Sequence, residues 1–421
     1  MKACLRILGL ILSLTLGARA AITIPGANNG TDGVLNVTTD IVIDLSQAVA
    51  GAWDADNTAN AGKGIYDASK WAVVFKYSSV TVAAGKTVTF TNHPSRAPVV
   101  WLVSGNVTID GTVSLNGGSG GNRPAPPVLA EPGPGGFRGG AGYYEVGSGL
   151  YGAAGFGVGG GLRQNNGTNG DGYGGSYGTQ GSNGPATYGN PSLIPLLGGS
   201  GGSGAAYYPA GGAGGGAILI ATANALSISG TIRANGGNAG NPNNYTAGGG
   251  SGGGIRLIAD TFAGAGTLQA LGGANGFAGG LGRIRIERVT NTATAAVTPD
   301  PSLVPLTAGD TALLWPPVGA PEVKILSIGG TAAPTDPRAS FGSAGADVAL
   351  PEAATTQVLI ETTNVEQAAQ VQVRVAPRAN ANATVVNATV STVISPTVVQ
   401  WTATLPVNVG YSAVQVKVVR P

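Results

Sequence analysis

Apolar residues along this chain come in short runs bounded by glycine, a pattern that predicts strands and not helices. Val99–Val103, Ala217–Ala221 and Ile255–Ala259 each have the length of a strand. Each run precedes a unit that ends in a double glycine. These units are Gly111-Thr112-Val113-Ser114-Leu115-Asn116-Gly117-Gly118, Gly230-Thr231-Ile232-Arg233-Ala234-Asn235-Gly236-Gly237 and Gly266-Thr267-Leu268-Gln269-Ala270-Leu271-Gly272-Gly273. The last two start about 36 residues apart, a period of stacked repeats. Gly282-Arg283-Ile284-Arg285-Ile286-Glu287 adds a partial fourth unit. With glycine supplying the positive φ of sharp corners at Gly117, Gly236 and Gly272, the pattern predicts an all-β, right-handed parallel β-helix-like body over residues 21–290. An irregular barrel is the alternative arrangement of the same strands.

Two segments break the repeat. Residues 117–216 hold 37 of the 73 glycines and 8 of the 12 tyrosines, so residues 119–210 read as a low-complexity insertion without a packed core. It is expected either as a disordered tuft or as extended glycine chains paired through their backbones. After Pro321 the glycine thins out, and strands are expected at Val323–Ile328, Val348–Leu350, Gln357–Thr362, Gln370–Val375, Thr384–Thr389, Val398–Leu405 and Ala413–Val419. This spacing, with Trp401 inside the sixth run, predicts an immunoglobulin-like β-sandwich over residues 321–421 without a disulfide. Residues 291–320, rich in Thr, Ala and Pro, read as the linker.

Residues 1–20 have the form of a signal peptide: Lys2 and Arg6, an apolar run from Ile7 to Leu16, then Ala18-Arg19-Ala20. The apolar run is too short to span a bilayer, which needs about 20 residues. Cleavage after Ala20 removes Lys2, Arg6 and Arg19 and takes the net charge from +2 to −1, which leaves no electrostatic footprint for nucleic acid. It also removes Cys4, the one cysteine, so the expected extracellular or cell-surface protein holds together without disulfides and without cysteine chemistry.

Candidate chemistry is sparse. His93 is the only histidine, and it sits in the turn Thr91-Asn92-His93-Pro94-Ser95-Arg96, where capping of the turn is the simplest role. Asp54, Asp56 and Asp67 form the one local group of carboxylates. Hard oxygen ligands at alternate positions suit calcium, a solvated turn being the plainer alternative. No other cofactor is expected. Alternation places Arg283, Arg285 and Glu287 on one strand face, and with Arg256 they could grip an acidic polysaccharide. Tyr143, Tyr144, Tyr207 and Tyr208 in the glycine loops could stack on sugar rings.

The runs Ala72–Val80, His93–Leu102 and Gly252–Ala259 resemble uncharacterised glycine-rich secreted proteins of environmental bacteria, over most of residues 60–290. The resemblance implies an exported, repetitive, β-helical protein and carries no catalytic residue. The expected function is therefore a structural or adhesive protein that contacts extracellular polysaccharide or cell-surface components and is able to self-associate. A polysaccharide lyase or glycoside hydrolase acting along a β-helix groove is the alternative, and a filament-forming fibre is a third.

Overall fold

A computed structural model describes residues 19–27, 30–122, 129–142, 152–164, 170–206, 208–240, 245–338, 345–351, 354–378, 381–407 and 409–419. The chain is all-β; among these residues the only helical elements are the single 3-10 turns Leu45–Gln47 and Thr58–Asn60.

Two parallel sheets are built level by level. In the first, Ser302–Pro305, Arg283–Asn291, Gly254–Ala263, Ala217–Ile228, Val99–Val103 and Ala72–Val82 lie side by side in that order, and Gly33–Val37 also pairs with Ala72–Val82. In the second the order is Ala296–Thr298, Thr267–Gln269, Thr231–Arg233, Thr112–Ser114, Thr87–Thr91 and Ile41–Asp44. From Gly33–Val37 to Arg283–Asn291, the strands just named in the first sheet are each followed in sequence by a counterpart in the second, so the chain climbs one level per pair. The registers stack like on like. One column is Val73, Val99, Ile218, Ile255 and Ile284, and the next is Phe75, Trp101, Ile220, Leu257 and Ile286. With Val88, Val113, Ile232 and Leu268 from the second sheet these columns form the main core. The expected partial fourth unit is a complete level, Arg283–Asn291 with Ala296–Thr298.

The first sheet is also covered on its outer face, by Ile22, Ile24 and Ala27 from the start of the described chain and by Ala312 and Leu314 from its middle. Double coverage explains why Val99-Val100-Trp101-Leu102-Val103 is apolar at every position instead of alternating. It also corrects the reading of residues 291–320 as a linker. Ala296–Thr298 and Ser302–Pro305 close the two sheets, and the residues that follow are packed cover.

The glycine-rich insertion has a packed interior made of backbone. The N–H groups of Gly211, Gly212, Ala213, Gly214, Gly215 and Gly216 donate in turn to the carbonyls of Gly140, Gly248, Gly118, Phe137, Ser251 and Leu115. Residues three apart therefore serve the same neighbouring segment. From Gly248 to Gly253 the acceptors again alternate among three segments: Ser203, Phe277, Gly237, Ser200, Gly280 and Ala234. A three-residue period is that of polyproline II. A β-strand, with period two, pairs on two sides only; a threefold segment reaches three neighbours and so builds a bundle. Close approach excludes side chains: a Cβ added at Gly212, Gly237 or Gly250 would lie under 3.0 Å from a facing carbonyl. Of the two expectations for the insertion, the described residues take the form of extended chains paired through their backbones, and the expectation that they lack a packed core is overturned.

Gly117, Gly236 and Gly272 are correspondingly not sharp corners, since none has positive φ. They open the threefold segments, and what they supply is space. Amides on the outer side of the bundle have no further segment to reach and are capped by side chains of the level before. Asn116 Oδ1 accepts from Asn235 N–H (2.9 Å), Asn235 Oδ1 from Leu271 N–H (2.8 Å) and Asn238 Oδ1 from Ala274 N–H (2.9 Å). The repeated Asn-Gly-Gly is thus a cap followed by a packing site.

Beyond Pro321, two antiparallel sheets close on one core. The larger runs Thr331–Ala332, Glu322–Ile328, Thr355–Thr363, Val398–Pro406, Thr389–Ser395, and the smaller Thr384–Asn387, Gln370–Pro377, Ser412–Val419. Val358, Ile360, Val371, Val373, Val399 and Trp401 fill the space between them, and Trp401 Nε1 donates to Thr362 Oγ1 at 2.9 Å. Val348–Leu350, expected as a strand, is none; Thr389–Ser395, beyond the expected Thr384–Thr389, is one. The smaller sheet rests on the glycine bundle, where the buried Arg374 donates to the carbonyls of Gly155 (2.7 Å) and Gly160 (3.3 Å).

Two substitutions test this account. Gly250→Ala places a methyl against the Ala213 carbonyl and is expected to cost about 3 kcal/mol, whereas Gly121→Ala meets nothing within 4 Å and leaves Tm unchanged; thermal melts of the pair read the difference. Asn235→Ala is expected to cost about 1–2 kcal/mol and to speed hydrogen exchange at the Leu271 amide, which loses its acceptor.

Candidate functional site

A cleft of about 430 Å³ lies where the C-terminal unit meets the parallel sheets, lined by Ala50, Gly51, Ala52, Tyr66, Asp67, Ala68, Ser69, Asp336 and Arg338. One wall is the end of the first sheet, where Val49–Ala50 pairs with Ile65–Asp67 as its last strand. The other is the segment after Thr331–Ala332 of the C-terminal unit.

Buried polar residues hold the sheet-side wall. Asp32 Oδ1 accepts from Asn57 Nδ2 (2.8 Å) and Gly62 N–H (2.9 Å), and its Oδ2 from Lys76 N–H (2.7 Å). The Lys76 ammonium, lowered in pKa by burial against the pull of Asp32, donates to the Ala55 carbonyl. This knot ties the loop around residues 52–62 to the sheet. Asp67 accepts from Trp53 N–H (3.0 Å), Ser69 N–H (2.8 Å), Ser69 Oγ (2.7 Å) and Lys70 N–H (3.2 Å). Burial raises its pKa, but those hydrogen bonds outweigh burial and hold it below the usual carboxylate range.

At the floor the Tyr66 ring stacks on His93, centroids 4.0 Å apart and planes at 28°. Tyr66 Oη donates to Asp336 Oδ1 at 2.5 Å, and Asp336 Oδ2 pairs with Arg338 at 2.9 Å. Burial, with the Asp336 hydrogen bond, pushes the Tyr66 phenol up to about 12. His93 Nδ1 accepts from Ser95 N–H at 3.2 Å and meets Ser95 Oγ at 2.8 Å, which assigns the ring proton to Nε2. Burial, aided by the nearby Arg338, lowers the His93 pKa to about 4, so the ring is neutral at pH 7. The histidine thus caps its own turn and supports Tyr66. Next to it, Trp71 (φ 46°) and Arg96 (φ 56°) hold left-handed backbone, fixed by Trp71 Nε1 to the Ser95 carbonyl (3.1 Å) and by Arg96 Nη1 to the Arg338 carbonyl (3.4 Å).

The arginine row falls on one face, as alternation requires, but that face is covered. Arg256 is 1% exposed; it donates to Glu287 (2.7 Å) and to the carbonyls of Leu313 (2.6 Å) and Leu314 (3.3 Å). Arg285 shares Glu287 at 2.8 Å, and Arg283 lies over the Tyr177 ring and donates to the Tyr188 carbonyl. The residues expected to grip an acidic polysaccharide are therefore engaged internally. The three aspartates do not converge either. Asp54 and Asp56 are exposed, Asp56 caps the turn at Thr58 and Asp67 is engaged as above. Among the described residues no group of three or more His, Cys, Asp or Glu side chains gathers that could hold a metal. Tyr143, Tyr144 and Tyr207 lie outside the described residues; Tyr208 is half-buried at φ 91°. Tyr66, Asp336 and Arg338 carried no local signal, because about 270 residues separate Tyr66 from its partner.

Because the folded pKa of His93 lies below its unfolded value, the unfolded chain binds the extra proton between about pH 6.5 and about pH 4, and stability falls as pH drops through that window. His93→Gln is expected to flatten this part of the profile in denaturant titrations at stepped pH.

No family model, no curated protein and no solved structure matches the chain, so its own geometry carries the reading of the site.

Proposed function

We propose that the chain is an exported structural and adhesive protein of the cell surface or surrounding matrix. The stacked parallel levels support reading the body as a parallel β-helix, and the paired C-terminal sheets support reading that unit as immunoglobulin-like. The observation that carries the function is the glycine bundle. Ala210 donates to Gly121 and Gly240 to Ala210; Ala153 donates to Ala141, Ala206 to Gly170 and Ala239 to Ala274. The described segment ends at Gly121, Ala141, Gly170, Ala206, Ala210, Gly240 and Ala274 thus meet at the end of the bundle remote from the sheets. A backbone-packed bundle whose segments end together on one side suits presentation of contacts better than catalysis. Tyrosine and asparagine are frequent in the sequence between those segment ends, and both suit contact with hydroxyl-rich glycans.

The enzymatic alternative needs arginines along an open groove, and Arg256 and Glu287 are buried against each other. The test is a panel of neutral and acidic polysaccharides, offered to the secreted protein and to a Tyr143→Ser, Tyr144→Ser, Tyr207→Ser variant. Retention without bond cleavage, weakened about tenfold in the variant by loss of stacking, is expected. Release of new sugar ends at enzymatic rates would overturn the reading.

A further inference from the structure

The adhesive reading leaves open where a sugar unit would be held, and the cleft at the junction of the two units answers the description. We propose that Asp336, Arg338 and Tyr66 form a saccharide subsite that takes adjacent hydroxyls of a neutral sugar. This proposal rests on the adhesive reading and names one place where it operates.

Three observations carry it. The cleft, about 430 Å³, falls within the range of about 300–1,000 Å³ that small-molecule sites occupy, and it lies between two structural units, where such sites concentrate. Its polar groups are fixed before any ligand arrives. Tyr66 is clamped against His93, its hydroxyl aims the Asp336 carboxylate, and that carboxylate aligns the Arg338 guanidinium at 2.9 Å. Both end groups still reach solvent, the Arg338 side chain being 44% exposed and that of Asp336 23%. A carboxylate beside a guanidinium offers acceptors and parallel donors at the spacing of two neighbouring hydroxyls, each of which both gives and takes a hydrogen bond. Ala50, in the last strand of its sheet, and Gly51 after it line the opposite wall.

Charge selects the class of sugar. Asp67 and Asp336 against Arg338 leave the lining one charge negative, so a neutral unit is favoured over a uronate or a sulfated sugar. Small residues, Gly51, Ala52 and Ala68, leave room for a ring.

The experiment compares the wild-type protein with Asp336→Asn, Arg338→Ala and Tyr66→Phe by saturation-transfer NMR and glycan-array titration against neutral and acidic oligosaccharides. Asp336 and Arg338 lie outside the cores, and each variant's melt confirms folding. The expected result is binding of neutral units by the wild type and at least about a tenfold loss in Asp336→Asn and Arg338→Ala, with a smaller loss in Tyr66→Phe. If the wild type binds and all three variants bind equally well, the subsite is overturned while the adhesive reading stands. Preference for acidic units overturns the charge argument and with it the proposal. A wild type that binds no saccharide overturns both.

Discussion

The structure depends on one interaction repeated many times: a backbone N–H meeting a backbone carbonyl across two extended glycine segments so close that no Cβ fits between them. In a sheet the amides of a strand point left and right, and the faces are left for side chains to fill. In the glycine segments the amides turn by a third of a circle per residue, so every direction becomes a bonding direction. Side-chain burial there gathers in small clusters, such as Leu129, Ala141, Ala153 and Phe156, and Tyr177, Tyr188 and Leu193. The interior of the bundle is polar by composition yet satisfied group by group, which is the condition under which buried backbone is tolerated.

This arrangement ties the bundle to the parallel sheets. Three successive levels of the second sheet run straight into glycine segments: Thr112–Ser114 leads to Gly117, Thr231–Arg233 to Gly236 and Thr267–Gln269 to Gly272. Strand spacing in the sheets therefore sets segment spacing in the bundle, and the asparagine caps Asn116 and Asn235 carry the register one level further. The return segments feed Ala217–Ile228, Gly254–Ala263 and Arg283–Asn291, so sheet and bundle share one repeat. The C-terminal unit is held at two places. Arg374 reaches carbonyls that the bundle exposes where Gly157 turns, and Asp336 with Arg338 reaches the Tyr66 and His93 stack. The second contact forms the cleft.

Much of this was legible in the residues. The Gly-Thr units and the apolar runs before them are successive levels of the two sheets, since β-branched and apolar residues at alternate positions bury one face wherever they occur. Alternation also placed Ile284 and Ile286 on the face opposite Arg283 and Arg285. What alternation could not show is that a second layer, Ala312 to Trp315, lies over the arginine face and turns a solvent-facing row into a buried ion pair. Glycine was legible as a determinant, but its reason was not. At Gly117 and Gly236 a turn and a close backbone approach leave the same letter in the sequence, and only the neighbouring carbonyl tells them apart.

By itself, then, the sequence determined most of the strands, the repeat and the concentration of glycine between Gly117 and Gly216, because those follow from local preference and period. The tertiary structure decided what the glycines are for, which charges are buried and where a cleft opens. Each of these depends on which distant segment lies within a few ångströms: Gly248 against Gly212, Leu313 against Arg256, Asp336 against Tyr66. Such meetings are set by how the levels stack and by where the chain returns after leaving them, and no window of local sequence contains both partners.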